Sequence, residues 1–146
     1  MGTEAGAAAQ ADTAAGAGAA AGTAVARGRK FEQAAWVYLH VGILYESAAF
    51  AMAQNGVLPT GGWGPPWLWL VAGGAVALGV FWGLLKWQNA WFARAVWAIH
   101  ALRLPALMSG AFFRGTDGQI APSFYLVAMI VVIINLGFLA RAGWDL

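Results

Sequence analysis

Four stretches of about 20 mostly apolar residues, parted by short polar turns, constrain this chain more than any other feature. They run over about 33–53, 66–85, 91–113 and 121–140. About 20 residues of helix, rising 1.5 Å each, cross the hydrocarbon core of a bilayer. Only 10% of the residues are charged while 61% are hydrophobic, against about 25% charged in an ordinary soluble domain. So few polar groups cannot clothe a surface that faces water, and lipid must solvate much of the chain. The expected fold is an all-α integral membrane protein, a four-transmembrane-helix bundle over residues 31–146. A chain of 146 residues leaves room for one such domain.

Residues 1–30 have a different character. As far as about residue 26 they are nearly all Ala, Gly and Thr, with Glu4 and Asp12 as the only charges; Arg27, Arg29 and Lys30 then close the segment. Alanine favours helix, but Gly2, Gly6, Gly16, Gly18 and Gly22 each cost up to about 1 kcal/mol against it. With no apolar periodicity to compensate, a disordered low-complexity tail with a basic juxtamembrane end is expected. The segment lacks the basic start and leucine-type core of a secretory signal.

The basic residues give an orientation. Arg27, Arg29, Lys30, Lys86, Arg94 and Arg141 fall on one side of the four spans, and Arg114 alone falls in the opposite loops. Positive charge marks the cytoplasmic side, so both termini are expected there, in a bacterial inner membrane. Trp36, Trp87, Trp91 and Trp144 then lie near the inner boundary, and Trp63, Trp67 and Trp69 near the outer one, as interfacial anchors do. The third span, with Arg94, His100 and Arg103, is the least apolar and is expected to insert only with its neighbours' help. The eight basic residues form no run, which argues against a nucleic-acid partner. The chain has no cysteine, excluding disulfides, thiol catalysis and cysteine-held metals.

Packing marks are few. Ala75, Gly79 and Gly83 follow a small-xxx-small spacing on the second span, which lets another helix approach closely. The approaching helix is either a neighbour within the bundle or a second copy. Pro66 suits the first turn of its span. Pro105, inside the third, removes a backbone donor and clashes with the carbonyl of Ala101, so a bend is expected there.

Ionisable and amide side chains inside spans are the strongest functional pointers, because each is costly to keep in hydrocarbon. The candidates are His40, Tyr45 and Glu46 on the first span, His100 and Arg103 on the third, and Asn135 on the fourth. Helical rise puts Glu46 and Arg103 about 5 Å and about 2 Å beyond mid-membrane, and His40 and His100 about 5 Å and about 3 Å on the cytoplasmic side. Asn135 falls near the histidines. His100 and Arg103 share a helix face, whereas His40 and Glu46 differ by about 120° around theirs. One of that pair faces the third helix squarely and the other turns aside.

Three roles compete for these groups. The first is a Glu46–Arg103 polar layer that holds together a non-enzymatic accessory subunit or oligomeric bundle. Arg103→Leu is then expected to harm folding more than Arg103→Leu with Glu46→Gln, since losing one partner strands a charge. The second makes Glu46 the proton- or cation-handling carboxylate of a small transporter. Tyr38-Leu39 with Ile43-Leu44 and Glu46, and Ile133-Ile134-Asn135-Leu136, resemble pieces of small multidrug-resistance transporters. That resemblance covers about a quarter of the chain and implies that Glu46 is a shared substrate and proton site. The long tail, Arg103 and the two histidines depart from that family. The third role is a haem b held by His40 and His100, since paired imidazoles at similar depth suit bis-histidine ligation; otherwise no cofactor is expected. Ser47 and Ser109 have no base-and-orienter partners for hydrolysis, and a metal on His40, His100 and Glu46 runs against the angles. The lipid bilayer and either a second copy or a larger membrane complex are the expected partners.

Overall fold

The computed structural model of the protein describes residues 3–57, 65–113 and 120–146, with side-chain surroundings given at Gly16 and from residue 18 onward. Residues 58–64 and 114–119, with Trp63 and Arg114, lie outside the described residues. All regular structure among the described residues is helical: α1 (Thr3–Gln54), α2 (Pro66–Trp87), α3 (Ala90–Ala101), α4 (Leu104–Met108), a π-helical turn (Ser109–Phe113) and α5 (Pro122–Trp144).

Helix α1 runs unbroken from Thr3, so residues 3–30 are helical where a disordered tail is expected. Starting a helix is the costly step and extending it is cheap. The packed residues from Phe31 onward supply the start, and alanine, the best helix former, carries it back through the glycines. Packing plays no part over residues 18–26, which are exposed. A Cβ added at Gly16, Gly18 or Gly22 would meet nothing within 4 Å.

Helix α2 opens on Pro66 and closes at Gln88 in a left-handed conformation. Asn89 then starts α3, its side-chain oxygen accepting from the Trp91 N–H at 2.8 Å, the usual way an N-cap satisfies an orphan donor. The bend expected at Pro105 is a break: α3 ends at Ala101, Leu102 and Arg103 form a turn, and α4 begins at Leu104. Proline has no N–H to offer Ala101, and Arg103 N–H turns instead to the His100 carbonyl at 3.1 Å. In the π turn that follows, Gly110 is buried against the Tyr125 ring, which fills the space a Cβ would need.

Three rods are long and apolar enough to cross a membrane: Pro66–Trp87, Ala90–Phe113 and Pro122–Trp144. The segment that falls short is therefore in α1, not the third span. His40, Glu46 and the polar hydroxyls of Tyr38 and Tyr45 dilute its apolar part, whereas the third rod has the apolar run of Ala90–Phe113 to offset its charges.

The core gathers toward one end of the molecule. Phe31, Ala34, Ala35 and Tyr38 of α1 pack with Ala77 and Leu84 of α2, Ala93 and Val96 of α3, and Leu139 and Ala142 of α5. Two polar ties close that end. Lys30 donates to Asp145 at 2.8 Å, the one ion pair among the described residues. That hydrogen bond, with the charge of Lys30, holds the Asp145 carboxyl below its usual range. Arg94 Nε donates to the Gly143 carbonyl at 2.8 Å. Its guanidinium lies 5.0 Å and 5.3 Å from the ring centroids of Trp91 and Trp144. A cation here also meets the negative end of the α5 dipole.

The small-residue seam differs from expectation. Of Ala75, Gly79 and Gly83, only Gly83 is buried, against Phe92; Ala75 and Gly79 are exposed. The close approach between α1 and α2 runs instead through Gly73 and Ala77. A Cβ on Gly42 would sit 2.9 Å from that of Ala77. A Cβ on Gly73 would overlap the carboxyl of Glu46.

Candidate functional site

Beyond the packed end, where small residues keep α1 and α2 close, a cavity of about 310 Å³ opens between the helices. Helix α1 contributes Tyr38, Tyr45 and Glu46, and α2 contributes Trp69 and Gly73. His100 comes from α3, Arg103 from the break after it, and Asn135 from α5. Five of the six polar residues expected from the sequence thus meet in one place, from three helices and a turn. The sixth does not. His40 is exposed and donates from Nδ1 to the Trp36 carbonyl at 2.7 Å. Of the two α1 residues about 120° apart, Glu46 is the one that faces the cavity.

Within the cavity the groups are held by different means. The Glu46 carboxyl sits in the hollow left by the missing side chain of Gly73. Arg103 is carried on the turn that Pro105 forces, with its guanidinium carbon 5.3 Å from the Tyr45 ring centroid. Glu46 and Arg103 line the same cavity without forming the ion pair that a polar layer needs. His100 donates from Nδ1 to the Val96 carbonyl at 3.0 Å and packs edge-on against Tyr38 at 5.1 Å, which leaves Nε2 available. Asn135 is 0% exposed, and neither its amide nitrogen nor its oxygen has a hydrogen-bond partner. Such groups are rare, and each one calls for a physical reason.

His40 does not line the cavity that holds His100. Among the described residues no three His, Cys, Asp or Glu side chains come together to hold a metal ion, so His40, His100 and Glu46 do not form a metal site.

Gly73, Trp69 and Tyr38 are site residues that sequence reasoning missed. Gly73 was visible in the Gly73-Gly74 pair, but α2 holds so many small residues that several ladders at four-residue spacing compete. Only the position of α1 selects among them. Beside this cavity lies a second, almost wholly apolar groove of about 250 Å³ between α1 and α5, and the two share Val41, Tyr45 and Val132 as walls.

Comparison with protein families, curated proteins and solved structures finds no match to the chain. The cavity has to be interpreted from its own chemistry.

Proposed function

We propose that this is a small non-enzymatic carrier of the bacterial inner membrane, with Glu46 as the group that exchanges a proton for a bound cationic centre. In this reading the helical hairpin α1–α2 and the hairpin of the third rod with α5 all cross the bilayer, giving four crossings with both termini cytoplasmic. The basic residues support that orientation. The carrying observation is that Glu46 and Arg103 line one cavity unpaired, beside an Asn135 amide with no partner. A purely structural polar layer would join its charges, because an unpaired charge in apolar surroundings costs more than a paired one. Unpaired groups around an open space suit a binding site. Small-molecule sites are of this kind, a cavity of about 300 Å³ or more, largely apolar, with a few convergent polar groups. Tyr38, Tyr45, His100 and Arg103 are the other titratable or charged groups facing Glu46 across it.

The test uses the full chain purified in mild detergent in weak buffer. Adding phenethylammonium should release protons from the wild type, and Glu46→Gln should abolish the release while leaving the helical spectrum unchanged. Equal release from both proteins would overturn the reading.

The accessory or oligomeric reading rests on a separate feature, the exposed Ala75 and Gly79 on α2. These small residues are free to take a close helix from a second copy or a larger complex. Purification alone separates the two: a carrier gives a defined particle, while an accessory subunit comes down with larger proteins or fails to hold together.

A further inference from the structure

Beside His100, Tyr38 and Tyr45 the cavity carries one carboxylate, one guanidinium and one unpartnered primary amide, and this combination restricts the ligand more tightly than a proton-exchanging carboxylate alone. A simple cation would neutralise Glu46 and be repelled by Arg103. A simple anion would have the reverse problem. A molecule with both charges satisfies both, and it also answers Asn135, whose amide offers donors to a carboxylate and an acceptor to an ammonium group. The surrounding wall is apolar and aromatic, with Trp69, Tyr38 and Tyr45, and aromatic faces attract an ammonium group as well as an apolar body. The volume of about 310 Å³ is at the small end of ligand cavities, which excludes a bulky ligand.

We propose that the cavity binds a small zwitterion with an apolar side chain, its ammonium group on Glu46 and its carboxylate on Arg103 and the Asn135 amide. This rests on the carrier reading above and names its substrate class. The orientation follows from charge alone, and Gly73 lets the Glu46 end of the site seat deeply against α2. Arg103, on the turn and in contact with Tyr45, forms the rim.

Calorimetry on the full chain in detergent micelles decides the matter with three probes of one shape: L-phenylalanine, phenethylamine and 3-phenylpropionate. Phenylalanine should bind about tenfold or more tightly than either single-charge analogue, the expected gain from one additional charge-assisted contact. Arg103→Leu should bring phenylalanine down to the affinity of phenethylamine. Glu46→Gln should bring it down to that of 3-phenylpropionate, and Asn135→Leu should weaken it without changing amine binding. Phenylalanine binding no tighter than phenethylamine, or not binding at millimolar concentration to the folded wild type, would overturn the proposal. Because the wild-type ranking alone decides, a variant that fails to fold does not rescue it. The carrier reading fails separately. Glu46-dependent proton release with phenethylammonium, but no preference for phenylalanine, leaves a cation carrier and removes the zwitterion. Neither effect removes both.

Discussion

Replacing Asn135 by leucine removes two buried polar atoms that have no partner in the folded chain and substitutes a side chain of similar size. An unsatisfied buried group costs about 1–3 kcal/mol, so Asn135→Leu is expected to raise the unfolding free energy in micelles by about that amount while weakening ligand binding. A loss of stability in chemical or thermal unfolding would show that the amide is already satisfied. Gly73 is tested in the opposite sense. Because the overlapping atoms belong to the mobile end of Glu46, Gly73→Ala displaces the carboxyl rather than the backbone. Its stability should stay within about 1 kcal/mol of wild type, since alanine gains up to that much over glycine in a helix, yet Glu46-dependent proton release should be lost. Gly137→Ala, where nothing lies within 4 Å, should stabilise the helix slightly and leave release intact. At this scale much of the site was legible in the sequence. Ionisable and amide groups are conspicuous in apolar spans, and five of the six converge. The sixth, His40, shows the limit: depth along a helix follows from rise, but the direction of a side chain depends on which neighbour packs where.

The third rod was expected to be hard to insert because of Arg94, His100 and Arg103, and each of these groups has a distinct arrangement. His100 donates back to its own helix, Arg103 sits on a break against Tyr45, and Arg94 caps α5 between two indoles. The break itself was readable from Pro105, since a missing donor is a local fact. The Arg94 contact was not, because its acceptor lies 49 residues away and nothing local points to it. A hydrogen bond from a charged donor is worth about 1.5–3 kcal/mol, and a cation over an aromatic ring adds about 0.5–1 kcal/mol. Arg94→Ala is therefore expected to destabilise the protein by about 2–3 kcal/mol in micelles, with loosening of the α5 end. Arg94→Lys should recover part of the loss, because an ammonium keeps the charge near the helix terminus but not the planar fork that lies against the rings. Identical melting of Arg94→Ala and wild type would show that the cap contributes nothing.

At the scale of the whole chain, the number of crossings turns on α1. By length and composition Pro66–Trp87, Ala90–Phe113 and Pro122–Trp144 are suited to cross a bilayer, while α1 carries Tyr38, His40, Tyr45 and Glu46 in its apolar part. Read alone, α1 is marginal. Packed against α2 and α5, it turns Glu46 toward the cavity that Arg103, His100 and Asn135 also line, while His40 stays exposed. In the carrier reading α1 depends on the other helices for its place in the membrane, a dependence that apolar counting along one segment cannot register. Parity makes this testable: four crossings leave the two ends of the chain on one side, and three leave them on opposite sides. The absence of cysteine provides a clean background. Ala20→Cys and Leu146→Cys, made singly, should both resist a membrane-impermeant maleimide in intact cells and both react once the membrane is opened, as cytoplasmic ends do. Labelling of one position but not the other in intact cells would leave α1 outside the bilayer, and Glu46 would then be an interfacial carboxylate instead of the centre of a carrier.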